Sequence, residues 1–167
     1  MKKVVLYVSL VVITLANIAV PAGAVPSDNV IRANCQSMQS VLSQIEKTDA
    51  ALRINRGRIY NEVLDLFYAM NSRLASNKIS APELVSITSD FDSQLADFRN
   101  DYNDYDDDLN ELIVAECQDD PGDFYGQLIS VRDERAKLND EIASLDQLVD
   151  DYWTEFNDNV RSVVDGN

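Results

Sequence analysis

From Ile31 onward, apolar positions recur at alternating steps of four and three residues. The first run reads Ile31, Cys35, Met38, Leu42, Ile45, Asp49, Leu52, Arg56, Ile59, Val63, Leu66 and Met70. A second reads Leu84, Thr88, Phe91, Leu95, Phe98, Tyr102, Tyr105, Leu109 and Leu112. The third reads Phe124, Leu128, Val131, Arg135, Leu138, Ile142, Leu145, Val149, Tyr152 and Phe156. A four–three alternation keeps one stripe of a helix turned toward a neighbour, the seam of coiled-coil packing. Held over three runs, it predicts an all-α chain.

The breaks between runs carry helix punctuation. Ser80 precedes Glu83 by three residues, a capping-box spacing, with Pro82 in the first turn. Asp120 stands as an N-cap before Pro121. The spacing predicts helices near 29–75, 81–116 and 121–164, each a rod of roughly 55–70 Å. Both connections are short, so successive helices run antiparallel. The expected fold is one domain over residues 25–167, an antiparallel three-helix coiled-coil bundle drawn out as a long rod.

A turn near residue 78 fixes a register, opposing first- and second-run residues whose numbers add to about 154 and setting the third run parallel to the first at an offset of about 86. The expected layers are Leu42–Leu112–Leu128, Ile45–Leu109–Val131, Leu52–Tyr102–Leu138, Ile59–Leu95–Leu145, Val63–Phe91–Val149 and Met70–Leu84–Phe156. The same register brings Cys35 to Cys117. A disulfide staple is the expectation, since no C-x-x-C spacing suggests a redox-active pair.

The N-terminus adds a destination. Met1-Lys2-Lys3, an apolar stretch from Val4 to Val20, and an ending at Ala22-Gly23-Ala24 form a secretory signal over residues 1–24. The rival reading is a retained tether, but the stretch is short for a span of roughly 20 residues. No later segment is apolar enough to cross a membrane. The formal charge of −15 deepens by two when Lys2 and Lys3 leave. Such a chain repels nucleic acid and anionic lipid at long range. It has no His, which closes off His triads, His acid–base chemistry and His-containing metal sites.

One layer of the expected core is polar. Asp49, Tyr105 and Arg135 fall together, with Arg56 one position along. An Asp–Arg pair with a Tyr hydroxyl can satisfy its own hydrogen bonds and fix register inside a bundle. The functional alternative is a small-anion pocket ringed by Arg53, Arg56 and Arg135. Gly57, inside the first run, marks a kink, a hinge or a close helix approach. Phe67, Tyr68, Phe91, Tyr152, Trp153 and Phe156 gather near one end, as packing or as a platform for carbohydrate or peptide, with Phe67 beside Trp153.

The stretch from Asp90 to Asp123 holds 13 acidic residues and one base, Arg99. A calcium loop needs a Gly at its sixth position, and no Gly occurs between Gly57 and Gly122. Seam residues continue through the cluster, so it reads as helix. Asp97, Asp101, Asp104, Asp108 and Glu111 then line one flank. They are expected to face solvent, with some charges answered by the Arg-rich first helix. Such a stripe can meet a basic partner or gather divalent cations weakly.

No nucleophile elbow, phosphate loop or zinc motif occurs, so an enzyme is not expected and no cofactor is implied. The segments NCQSMQSVLSQIEKTDAALRINRGRIYNEVL (Asn34–Leu64) and DSQLADFRNDYNDYDDDLNELIVAEC (Asp92–Cys117) resemble secreted coiled-coil proteins of Saccharibacteria and related reduced-genome bacteria. That resemblance implies an extracytoplasmic place and a role at the envelope or in contact with a host cell. The expected function is a secreted or envelope-associated structural or interaction module, with a protein or envelope component as partner. The alternative is an extracytoplasmic ligand-binding or sensing bundle built on the Arg/Asp layer.

Overall fold

The structure, a computed structural model, describes residues 25–165, with side chains for all of these except 160 and 162–165. The leader expected at residues 1–24 lies outside the described residues. Three helices follow one another: α1 (Asp28–Ser76), α2 (Pro82–Val114) and α3 (Pro121–Asp165). They form an antiparallel three-helix bundle, with α2 packed against both neighbours and α1 and α3 parallel. Among the described residues there is no strand, and no helix is long and apolar enough to cross a membrane.

The second seam is buried from end to end, Leu84 through Leu112. The third alternates fully buried residues, Phe124, Val131, Leu138, Leu145 and Tyr152, with half-buried ones between them. The first seam holds only as far as Asp49. Beyond it the buried positions are Tyr60, Leu64, Phe67 and Leu74. Leu52, Ile59 and Leu66 stand 51%, 48% and 42% exposed. The inward face takes two successive steps of four, Ile45 to Asp49 to Arg53. That extra step is a stutter, which relieves the drift of about 20° per heptad that a straight helix accumulates against a strict seven-residue repeat. The slide also seats the larger rings of Tyr60 and Phe67, which meet Phe91 edge-on at 5.9 Å and 5.5 Å. The layers expected through Leu52 and Ile59 therefore lose their α1 member.

The joints divide in the same way. Asp120 caps α3 as expected, its Oδ1 accepting the Asp123 N–H at 3.1 Å. The capping box at Ser80 does not form. Ala81 is the N-cap of α2 and no side chain bonds there, because Pro82 already occupies the first helical position. The end of α1 is closed by backbone instead. Lys78 takes a left-handed φ of 59°, and Ile79 N–H reaches back to the Leu74 carbonyl at 3.0 Å, the six-to-one bond of a Schellman turn.

Gly57 continues α1 without a break, and a Cβ placed on it would meet nothing within 4 Å. Close helix approach is therefore not its purpose. Gly57→Ala should stabilise the bundle by about 1 kcal/mol, the helix-interior penalty of glycine. Chemical denaturation checks this, and a loss of stability would show that the helix needs freedom at that point.

Candidate functional site

The polar layer assembles as the register requires, except for Arg56. Arg135 makes a two-pronged contact with Asp49, its Nε donating to Oδ2 at 2.7 Å and Nη2 to Oδ1 at 2.9 Å. The Tyr105 hydroxyl donates to the same Oδ2 at 2.7 Å. One carboxylate from α1 thus ties α2 and α3 together. Burial first, then the bond to Asp49, push the Tyr105 hydroxyl far above its ordinary range, so it remains a donor at every physiological pH.

Arg56 belongs to a different contact. It donates to the Tyr60 hydroxyl at 3.3 Å and lies 4.0 Å from Asp146. Tyr60 in turn donates to Asp146 at 2.9 Å. Burial and that acceptor push Tyr60 up to about 12. Arg53 turns the other way, toward α2, donating to Asn103 at 2.8 Å and lying 4.5 Å over the Tyr102 ring. The three guanidinium groups are held by three separate partners and do not converge on a shared space. The grooves beside them are open and shallow, and the one lined by Arg53, Ile54, Gly57, Arg58 and Arg99 runs between α1 and α2. The small-anion pocket is not formed.

A second polar layer sits near the opposite end, among the aromatic residues. Tyr152 donates to Asn71 at 2.9 Å, and Asn71 donates to Thr88 at 2.8 Å. Thr88 closes the chain on the Leu84 carbonyl at 2.8 Å. Thr88 was a visible polar residue in the second seam. Asn71 was hidden, because the strict heptad put Met70 at the core. Phe67 stacks on Tyr152 at 3.7 Å, while Trp153 lies at the edge, 37% exposed and packed on Tyr152 and Phe156. The expected pairing of Phe67 with Trp153 is thus replaced by its chain neighbour.

The acidic stripe follows α2 on the flank that turns to α3, so α1 does not answer it. Asp101 bonds Lys137 of α3 at 2.6 Å. Asp97, Asp104, Asp108 and Glu111 are exposed. Two glutamates of α3 face the stripe, Glu141 opposite Asp101 and Glu134 opposite Asp108. These facing pairs repeat at seven residues on both helices. In each, one glutamate oxygen is buried with no hydrogen-bond donor. A proton on the glutamate resolves this, by letting it donate to the facing aspartate. Burial, followed by the hydrogen bond and charge of Asp101, raises Glu141 to about 7. Burial, followed by Asp108, raises Glu134 as well. Asp101 is held below its ordinary value, first by the hydrogen bond from Glu141 and then by Lys137.

The sign of the pH effect follows. Glu141 titrates higher folded than unfolded, so its stabilising contribution is complete below about 4.5 and disappears as pH rises through 7. Asp101 works in the opposite sense, and its contribution is lost only under stronger acid, below its ordinary 3.8. Thermal melts should therefore show the protein more stable at pH 5 than at pH 8. Glu141→Gln should flatten that difference. Parallel pH profiles for the variant and the natural protein would refute the shared proton.

Among the described residues, no group of three or more Cys, Asp and Glu is placed to hold a metal ion. Cys35 and Cys117 are joined, with Cα atoms 5.7 Å apart and both residues buried. No family model matches the chain, and neither a curated protein nor a solved structure matches it.

Proposed function

We propose that the chain is a non-catalytic interaction module of the secreted or cell-envelope space, reading a basic protein or envelope component through its acidic side. The distribution of charge carries this reading. Along α2 ten acidic residues face one base, and along α3 eleven face four. Along α1 six bases offset five acids. The rod therefore has one strongly acidic side and one nearly neutral one, and such an asymmetry steers a cationic partner to a defined face. The disulfide fits an oxidising compartment. The leader pattern and the likeness to secreted coiled-coil proteins of Saccharibacteria point the same way.

The test is capture from envelope material by the natural protein and by a form with Asp97, Asp104 and Glu111 made neutral. Asp101 and Asp108 are left in place, because they pair with Lys137 and Glu141 and with Glu134 inside the α2–α3 contact. The expected result is salt-sensitive capture that the neutralised form loses. Equal capture by both forms would remove the acidic side from the function.

A further inference from the structure

We propose that the groove between α1 and α2 over Gly57 binds a small organic dianion, a short dicarboxylate seated between the guanidinium groups of Arg53 and Arg99. A glycine inside a helix costs about 1 kcal/mol against Ala. Packing does not ask for it here, since a Cβ on Gly57 would meet nothing within 4 Å. The other use of a missing side chain is to let a ligand approach the backbone. Gly57 stands one turn from Arg53 and one turn from Asn61, on the same face of α1. Two polar rungs cross the groove, one on either side of it. In the first, Arg53 of α1 reaches over the Tyr102 ring and donates to Asn103 of α2 at 2.8 Å. The second runs the other way, with Arg99 of α2 donating to Asn61 of α1. Asn61 is itself held in place, its amide donating to the Gly57 carbonyl at 2.7 Å. Phe98 and Ile54 line the groove between the rungs, and its volume is about 500 Å³, within the roughly 300–1,000 Å³ of small-ligand sites.

Charge and donor geometry select the ligand. Arg56, Arg58 and Arg135 each have a carboxylate partner. Arg53 and Arg99 both end on a neutral amide instead, and among the described residues neither makes an ion pair. Each commits one Nη to its Asn and keeps further N–H donors, the planar fork that takes a carboxylate. Two such cations at the ends of an apolar stretch match one negative charge at each end of a short carbon chain. A phosphate at each end would bring surplus charge, which Glu62 and Asp65 at the far rim oppose. The rungs lie eight residues apart on α1 and four apart on α2, roughly 6–12 Å at 1.5 Å per residue. With a hydrogen bond made at each end, a chain of about two or three methylenes spans that gap. The site uses neither Arg56 nor Arg135, so it is separate from the Asp49 layer. It also stands whether or not the acidic side reads a basic partner.

Succinate and glutarate titrated into the natural protein at low salt should shift the side-chain amide signals of Asn61 and Asn103 in NMR spectra, and the shifts should saturate. Acetate at twice the concentration should not reproduce them. Arg53→Gln and Arg99→Gln should each weaken the binding about tenfold or more, the loss of a charged hydrogen-bond donor. Gly57→Leu fills the notch and leaves both guanidinium groups in place. It should abolish the binding with helix content unchanged, since the space over Gly57 is open. Shifts that never saturate, or that acetate matches, overturn the proposal, because they mark loose counter-ions only. Undiminished binding by either Arg variant overturns the two-cation clamp, and binding that survives Gly57→Leu overturns the seat over Gly57.

Discussion

Replacing Arg135 with Met should cost the bundle about 3–4 kcal/mol, and replacing its partner Asp49 with Leu should cost less, about 2 kcal/mol. The asymmetry comes from exposure. The Asp49 side chain is 9% exposed and that of Arg135 is 41%. Without Arg135, a carboxylate stays inside the bundle with only the Tyr105 hydroxyl to answer it. Without Asp49, the guanidinium can turn to water. What then remains is a buried Tyr105 hydroxyl with no acceptor, a penalty of about 1–3 kcal/mol. The pair's own net worth is small, because burying it cost desolvation that its attraction mostly returned. The double variant Asp49→Leu/Arg135→Met should therefore fall near the Asp49→Leu single rather than at the sum of the two, since the Tyr105 hydroxyl still lacks its acceptor. At the size of this chain, the Arg135 variant should melt roughly 10 °C lower. Urea titrations of the two single variants and the double complete the cycle. If Asp49→Leu were the more damaging, the layer would owe its stability to something other than the buried carboxylate.

That layer was legible because it depends on two simple quantities. One is the turn position near residue 78, which sets how α1 opposes α2. The other is the offset of 86 between α1 and α3, which recurs in the Asp49–Arg135 and Tyr60–Asp146 contacts. The seams of α2 and α3 were equally plain, since each has a single apolar stripe and polar residues elsewhere. α1 was not, because from residue 59 onward it offers two. Ile59, Val63, Leu66 and Met70 keep the strict heptad, while Tyr60, Leu64, Phe67 and Leu74 make the better core. Hydrophobicity alone does not rank them. Ring volume does, because large aromatics bury the most area, and the empty space opposite Phe91 and Tyr152 takes Tyr60 and Phe67. The same shift takes Arg56 out of the Asp49 layer and brings Asn71 into a layer of its own.

The acidic flank is helical, as its seam residues predict, but it turns to α3 and not to α1. Helical periodicity tells which residues share a flank. It does not tell which helix that flank faces, since this depends on the handedness of the bundle. The facing glutamates were therefore invisible. Glu134 and Glu141 lie outside the α3 seam and carry no motif. Only their placement against Asp108 and Asp101 makes them proton-holding groups.

Breaking the disulfide should be the other severe change. Cys35→Ser/Cys117→Ser, or reduction of the natural protein, should cost about 4–5 kcal/mol in the chain-entropy account for a link across 82 residues. The loss should be uneven along the molecule. From its start to Asp49, α1 buries only Ile31, Cys35, Leu42 and Asp49, a thin contact for more than five turns. The bond lies close to the start of α1 and holds it to the end of α2, where Gln39 also donates to the Ala115 carbonyl at 2.8 Å. Once it is cut, the opening turns of α1 should fray before the rest. Hydrogen exchange should then show protection falling between residues 28 and 45, while the half of α1 around Tyr60 and Phe67 stays protected. Since both sulfur-bearing residues are buried, mild reductant should act slowly on the folded protein and quickly in denaturant. Rapid reduction of the native fold with no change in melting would instead mark the pair as a redox couple. Its position argues otherwise, because the bond fastens the start of α1, where that helix's own packing is thin.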